Sequence, residues 1–461
     1  MSWAKVKNVE EQTSQKSKQR RGLQEYFVGP RDVTRHSKWP RALRMHGSVT
    51  PKILLRTILV GIWATVITTI SQRVHQIDIH PIIATVLGIL VGFALNLRSN
   101  TAYERYMEGR KVWSRLNIVS STLARNIWCH AKEREGELGK QDLLAKVSFL
   151  NLLVAFAVSL KHKLRFEPYT QYDDLEDLVS HLDTFARSAG TPNRTLNEIT
   201  TWRKVKFLLR LAEPNPRAEL KQAKRSLGNL PLEILGYMNA YVQTIVDNGT
   251  FPLASTQSKA IHNIESLDDI LVTADRILNT PLPIAYTIAI SQITWIYVIT
   301  LPVQLVKQLG WINVPVTLIS AYIILGFAAI GNEIENPFGI EVNDLPLELY
   351  CGQIASDIAI ISSKPPPGLD EYAFHSDNKP LYPMSSAGPN FWPDADVKDL
   401  REALRTRAMM SKPAMWRRQS STLKAPLVRG QSVGGSTLNE TEQDNCRTTG
   451  VSAENTVRWA V

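Results

Sequence analysis

Pro81-Ile82-Ile83-Ala84-Thr85-Val86-Leu87-Gly88-Ile89-Leu90-Val91-Gly92-Phe93-Ala94-Leu95-Asn96-Leu97 carries no charge over its whole length. A helix that crosses a bilayer needs such a run, about 17–25 residues long. Gly88 and Gly92 stand four apart, a small-xxx-small pair that lets helices approach closely. Ile89, Phe93 and Leu97 repeat the same spacing on a neighbouring stripe. If the glycine stripe packs against a neighbour, the apolar stripe is free to face elsewhere. In a ring of identical chains it would line a narrow apolar constriction that gates by wetting and dewetting. The same spacing also fits a stripe that faces lipid.

Three further segments have the same character. Ile53–Ile70 precedes the quoted run, with Arg56 near its start, where a long side chain can snorkel. Pro283–Leu305 and Trp311–Ile330 follow it and hold no formal charge before Leu305 and Ile330 respectively. Buried helices of a soluble core are the alternative. Charge-free runs argue against it, because soluble helices usually keep a polar face. A shorter run, Val147–Leu160, ends in Lys161, His162, Lys163 and Arg165 and reads as a core helix of a soluble domain.

Lys and Arg are abundant before Ile53, across Arg98–Asn279 and in the C-terminal tail, whereas the two hairpin loops, Ser71–His80 and Val306–Gly310, hold little positive charge. The positive-inside rule therefore places both termini and the long middle segment in the cytosol. The expected organisation is a basic N-terminal segment (1–48), a first membrane hairpin (49–98), a helical insert (99–279), a second hairpin (280–331), an acidic turn with its C-terminal segment (332–410) and a disordered tail (411–461). The fold class is all-α. Within the insert, helical periodicity marks Tyr103–Ala131, Leu143–Lys161, Asp173–Ala186, Glu198–Leu211, Pro231–Val246 and Thr256–Leu278. Breakers at Gly190-Thr191-Pro192-Asn193 and Pro214-Asn215-Pro216 separate several of them. The tail is rich in Ser, Thr, Arg and Gly and cannot bury a core. Its Arg417-Arg418-Gln419-Ser420 stretch reads as a solvated basic segment or a phosphorylation site. The first 48 residues lack an apolar signal-peptide core.

The net charge of +10 would suit nucleic acid, but no zinc-finger, RNP or basic-zipper pattern accompanies it, so the charge reads as membrane-related. Cys129, Cys351 and Cys446 are far apart and form no disulfide framework. No phosphate loop, nucleophile elbow or HExxH motif is present and the nine histidines are scattered, so no enzyme is expected.

Two further segments carry candidate site residues. In Asn279-Thr280-Pro281-Leu282-Pro283, Thr280 is a good N-cap and Pro281 suits the first helical position. A helix starting there would present free N–H groups and its positive dipole end to an anion; an ordinary solvated helix start is the alternative. After the fourth apolar run comes Asn332-Glu333-Ile334-Glu335-Asn336-Pro337-Phe338-Gly339-Ile340-Glu341-Val342-Asn343-Asp344. Carboxylates and amides on such a turn suit Ca²⁺, with Asn336, Glu341 and Asp344 as candidate ligands. The spacing is not that of an EF-hand, and a solvated acidic helix exit fits as well.

Three motifs resemble the bestrophin family, its bacterial and fungal branch more than the animal one. Asn100-Thr101-Ala102-Tyr103-Glu104-Arg105-Tyr106-Met107-Glu108-Gly109-Arg110-Lys111-Val112-Trp113 is similar to the exit of the second span. Asp275 to Tyr286 is similar to the start of the third span, and Glu335-Asn336-Pro337-Phe338-Gly339 to the family's Asn-Pro-Phe-Gly motif. The resemblance covers about residues 45–365. It implies a homopentamer with one axial pore, a neck lined by Ile89, Phe93 and Leu97, and a pore-facing helix start at Thr280–Pro283. In the animal branch of the family a run of Asp after the turn holds Ca²⁺; here that run is Ile340-Glu341-Val342-Asn343-Asp344, with Glu341 and Asp344 at the two ligand positions, so no cofactor is expected to be required and Ca²⁺ binding stays an alternative. The family's second constriction would fall within Thr256–Leu278. The expected function is a passive channel for chloride and other small anions, embedded in membrane lipid. A cation channel of the same build and a non-conducting membrane scaffold are the alternatives.

Overall fold

One helix organises the chain in the computed structural model, which describes residues 40, 44–74, 82–188, 228–382, 385–389 and 396–410. The expected helix Glu198–Leu211, its two flanking breakers, most of 1–48 and the tail 411–461 lie outside the described residues. Two compact units divide the chain, Met1–Pro367 and Gly368–Val461. The described residues are helices joined by turns, with no strand among them.

In the first unit α1 is Thr50–Arg73, α2 Ile82–His130, α3 Glu137–Leu164, α4 Leu230–Asp247, α5 Ala254–Asn279, α6 Ile284–Leu309, α7 Asn313–Ile334 and α8 Leu347–Ser362. The sequence marks the second apolar run and the helix from Tyr103 as separate stretches, in a membrane hairpin and an insert. Instead α2 runs unbroken for 49 residues. The reason is local: Arg98-Ser99-Asn100-Thr101 contains neither Gly nor Pro, so nothing stops the ladder once both flanks are helical. The predicted helix Asp173–Ala186 is reduced to two single turns, Glu176–Val179 and Phe185–Ser188. Side chains satisfy the backbone between them. The Tyr237 hydroxyl donates to Asp183 O (2.8 Å) and accepts from Asp183 N (3.1 Å), and Glu233 accepts from Phe185 N (2.9 Å).

By length and composition the bilayer-capable helical stretches among the described residues are Thr50–Arg73, Ile82–His130, Glu137–Leu164 and Ala254–Ile334, the last containing both α6 and α7. Burial sorts them. The most apolar window of α3 is 67% buried inside the protein, against 39% in α1, 17% in α2 and 28% in the α5–α7 stretch. So α3 is the core helix the sequence predicts, and α1, the first turns of α2, α6 and α7 are the four membrane helices. The second pair packs between the first two helices, α7 chiefly on α1 and α6 on α1 and α2. At the loop end of this set Asn313 is fully buried. Its amide donates to Pro302 O (2.9 Å) and Thr68 Oγ1 (3.2 Å) and accepts from Thr317 Oγ1 (3.1 Å).

The rest of α2, with α3, α4, α5 and α8, encloses the main core, in which Trp113, Phe149, Phe156, Phe251 and Phe338 are fully buried. An ionic lock closes α3. Lys161 pairs with Asp174, His162 Nε2 lies 2.8 Å from Asp174 Oδ1 and Nδ1 2.7 Å from Glu167 Oε2, and the ring stacks on Tyr172 at 4.1 Å. Burial alone would push the Asp174 carboxyl up, but the His162 hydrogen bond and the charges of Lys161 and His162 outweigh it and hold it well below the usual carboxylate range. A carboxyl depressed on folding adds stability above its unfolded pKa of 3.8, and that stability is lost as pH falls below this value. Asp174→Ala, which leaves the buried Lys161 ammonium without its carboxylate and His162 Nε2 without its partner, is expected to cost about 3–5 kcal/mol. Its melting temperature should also fall less between pH 5 and pH 3 than that of the parent protein.

In the second unit Val397–Met410 forms α9, and Arg407 reaches the carbonyl of Pro380 (3.3 Å).

Candidate functional site: the α2 neck and its collar

Helical geometry divides the membrane part of α2 into two faces. Val91 and Leu95, 3% and 4% exposed, pack with Ile290 of α6, and Ala94, Ile293 and Tyr297 surround them. The opposite face is bare in the single chain: Ile89, Phe93 and Leu97 are 69%, 63% and 48% exposed. The predicted stripe is therefore presented outward and left uncovered by the chain's own helices. Only half of the expected glycine packing is found. A Cβ at Gly88 would touch the Tyr297 ring, at 3.4–3.6 Å, so Gly88 does lie against α6. Gly92 is exposed and nothing approaches within 4 Å of its missing Cβ. Four residues further along, the helix has turned Gly92 onto the bare face.

The expected helix start at Thr280 is corrected by the structure. Thr280 closes α5, with φ −113° and ψ 66°, and both its N–H and its hydroxyl donate to Arg276 O. The next helix begins at Ile284, with Pro283 in the N-cap position. Prolines at 281 and 283 bias Thr280 and Leu282 away from the helical region, so no helix can run through them. The N–H groups at this helix start belong to Ile284 and Ala285, because Pro283 has none. Those of Tyr286 and Thr287 already bond to Pro283 O.

Directly below Leu97 the outward helix meets a collar of ions. Arg98 is 5% exposed, and its Nη2 donates to Glu335 Oε2 at 3.2 Å. Its stem crosses Gly331 of α7, where a Cβ would sit 3.4 Å from Cγ and Cδ. Two turns on, Arg105 donates through Nη2 to Ile277 O (2.6 Å) and through Nη1 to Thr280 O. It thereby satisfies the Ile277 carbonyl in the last turn of α5 and the carbonyl of its cap residue Thr280. The pairs Glu108–Arg276 and Arg115–Asp269 continue the α2–α5 contact.

The acidic turn after α7 is closed from within. Asn336 Oδ1 accepts from Phe338 N (3.4 Å), Leu345 N donates to Pro337 O (2.9 Å), and Asp344 Oδ2 accepts from Glu341 N (2.7 Å). Burial, with the charges of Glu341 and Glu333, pushes the Asp344 carboxyl up to about 7. Glu341 pairs with Lys52 of α1, which also meets Glu333 at 3.1 Å, and Asn343 donates to Gly47 O (2.8 Å). Fully buried Phe338 lies under Gly109 of α2, where a Cβ would come within 3.1–3.2 Å of Phe338 and Leu345. Among the described residues no group of three His, Cys, Asp or Glu gathers as a metal set. Asn336 Oδ1, Glu341 Oε2 and Asp344 Oδ2 each already take part in a hydrogen bond or ion pair within the protein. Sequence reasoning passed over Lys52, Arg98 and Gly109, whose roles exist only across helices remote in the chain.

This architecture, two membrane hairpins on a helical bundle with a bare apolar ridge on the second span, defines a polytopic α-helical membrane protein. The chain belongs to the bestrophin family: the model described as Bacterial/Fungal Bestrophin protein matches residues 31–359. It is 34% identical over 329 residues to the voltage-dependent anion channel-forming protein alr2987 of Nostoc sp., covering 70% of this chain and 92% of the relative. It is 31% identical over 324 residues to the protein of the same description, sll1024, of Synechocystis sp., covering 70% and 91%. A crystal structure of a bacterial bestrophin homologue from Klebsiella pneumoniae, carrying a point mutation, superposes with a TM-score of 0.51 at 25% identity over 69% of this chain and 100% of that one.

Proposed function

We propose that this chain is one subunit of a homopentameric channel that passes chloride and other small anions, with the α2 stripes meeting around a central axis. The observation that carries the reading is the 48–69% exposure of Ile89, Phe93 and Leu97 on a helix otherwise well packed on one side. In a ring, that face becomes a neck. Apolar walls offer an ion no ligand, so the neck conducts when wet and closes by dewetting. A permeating anion sheds only part of its hydration there, so large, weakly hydrated anions pass more readily than chloride. The start of α6 at Pro283–Ala285, the positive end of a 26-residue helix, serves the anions as they approach. The names of the Nostoc and Synechocystis relatives support anion over cation transport. Both termini and the helical bundle lie in the cytosol. Lys52 closes the acidic turn, so the channel needs no Ca²⁺, and currents should be the same with Ca²⁺ and with a chelator.

The test is the reversal potential of purified protein in planar bilayers under asymmetric KCl. The anion reading expects it near the chloride equilibrium potential, moving further when iodide or nitrate replaces chloride. A value near the potassium potential would reject it, and the absence of any current would favour a scaffold.

A further inference from the structure

We propose that Arg98 is a positioning residue for the neck, and that its ion pair with Glu335 sets the rotation of α2 and so the aim of Ile89, Phe93 and Leu97. The inference rests on the neck reading and adds the part that controls it. Arg98 is the residue after Leu97 in an unbroken helix, so a rotation at Arg98 carries the whole stripe with it. The side chain is 5% exposed, beyond what a snorkelling cation at a span end adopts, and a buried guanidinium must keep a partner. Its Nη2 partner Glu335 sits on the turn after α7, 3.2 Å away, while the buried Nε has no hydrogen-bond partner. An unsatisfied buried donor costs free energy, so the Glu335 bond is the contact that holds this buried cation in place.

Glu335 is also the first link of a chain of charges. The turn it opens carries Glu341, which pairs with Lys52 of α1, and Lys52 holds Glu333 at the end of α7 as well. Three membrane helices are thus tied at one level: α2 through Arg98, α7 through Glu333 and Glu335, and α1 through Lys52. Glu341 and Ile340 are exposed at the tip. Anything that displaces the tip pulls on Glu335, and through Arg98 on the neck.

The experiment uses Phe93→Cys in a Cys129→Ser, Cys446→Ser background, reconstituted in planar bilayers, with a negatively charged methanethiosulfonate as probe and current block as readout. Adding Glu335→Gln is expected to change the block rate at least tenfold, and the exchanged pair Arg98→Glu with Glu335→Arg to return it to within about threefold of the parent; a tenfold change corresponds to about 1.4 kcal/mol. Arg98→Lys, which keeps the charge but not the planar fork, should fall between them. A merely structural role would lower yield and melting temperature and leave the block rate per channel unmoved. Block of Phe93→Cys that ignores Glu335→Gln, or an exchanged pair that fails to restore the rate, overturns this proposal and leaves the neck reading standing. No block in any background overturns both.

Discussion

The double variant Ile89→Ala, Phe93→Ala is expected to conduct continuously, with macroscopic current at least tenfold above the parent. Wetting of an apolar constriction depends on its width and on how much greasy surface lines it. Replacing Ile and Phe with Ala removes most of that surface from two successive levels of the neck. The free-energy barrier to filling it with water then collapses, where tenfold in open probability corresponds to only about 1.4 kcal/mol. Both side chains are bare in the single chain, at 69% and 63%, so truncating them leaves no cavity in the subunit core and should not cost much stability. The outcome separates gating from folding. Unchanged currents from a well-assembled double variant would remove the stripe from the conduction path.

A second large effect is expected at Arg105. Its guanidinium forks onto the carbonyls of Ile277, in the last turn of α5, and Thr280, its cap, and so ties the end of α5 and the linker to α6 onto α2. Hydrogen bonds from a charged donor contribute about 1.5–3 kcal/mol each, and the solvent-facing half of this site places the sum for Arg105→Ala at about 2–4 kcal/mol. Arg105→Lys keeps the charge but satisfies a single carbonyl, and is expected to recover less than half of the loss. Thermal unfolding in detergent measures the stability term. Because the linker leads directly to Pro283 and the start of α6, Arg105→Ala should also lower the preference for anions over potassium, read as a shift of reversal potential. Glu108→Ala, whose pair with Arg276 lies on the exposed side of the same contact, serves as the control and should cost under about 1 kcal/mol.

Much of this organisation was legible in the chain because it is written in composition and period. The charge-free runs locate the membrane helices, and the four-residue spacing of Ile89, Phe93 and Leu97 selects the one face of α2 that its neighbours leave open. The same spacing misleads at Gly88 and Gly92. A helix turns 400° in four residues, so two glycines four apart can straddle the edge between a packed and a bare face. Thr280-Pro281 has the composition of a helix start, but a Thr before Pro ends α5 as readily as it would start α6. The continuity of α2 is hidden in the sequence because a change from apolar to charged composition looks like a boundary, although no Gly or Pro stands there. The collar could not be foreseen at all. Arg98 and Glu335 are separated by 237 positions, and Lys52 and Glu341 by 289, so no local pattern announces either pair. Gly109 belongs with them, since only the approach of Phe338 shows why a Cβ is excluded there.

The account stands or falls on whether the α2 ridges of separate copies face one another. Oxidation of the Phe93→Cys protein in lipid vesicles, in the Cys129→Ser, Cys446→Ser background, followed by denaturing electrophoresis, asks this directly. Reducible dimers formed within assembled particles, and absent when the cysteine is placed instead at exposed Leu59 of α1, are the expected result. Monomers throughout, with Phe93→Cys labelled by a lipid-soluble maleimide, would place the ridge against the bilayer and contradict the account.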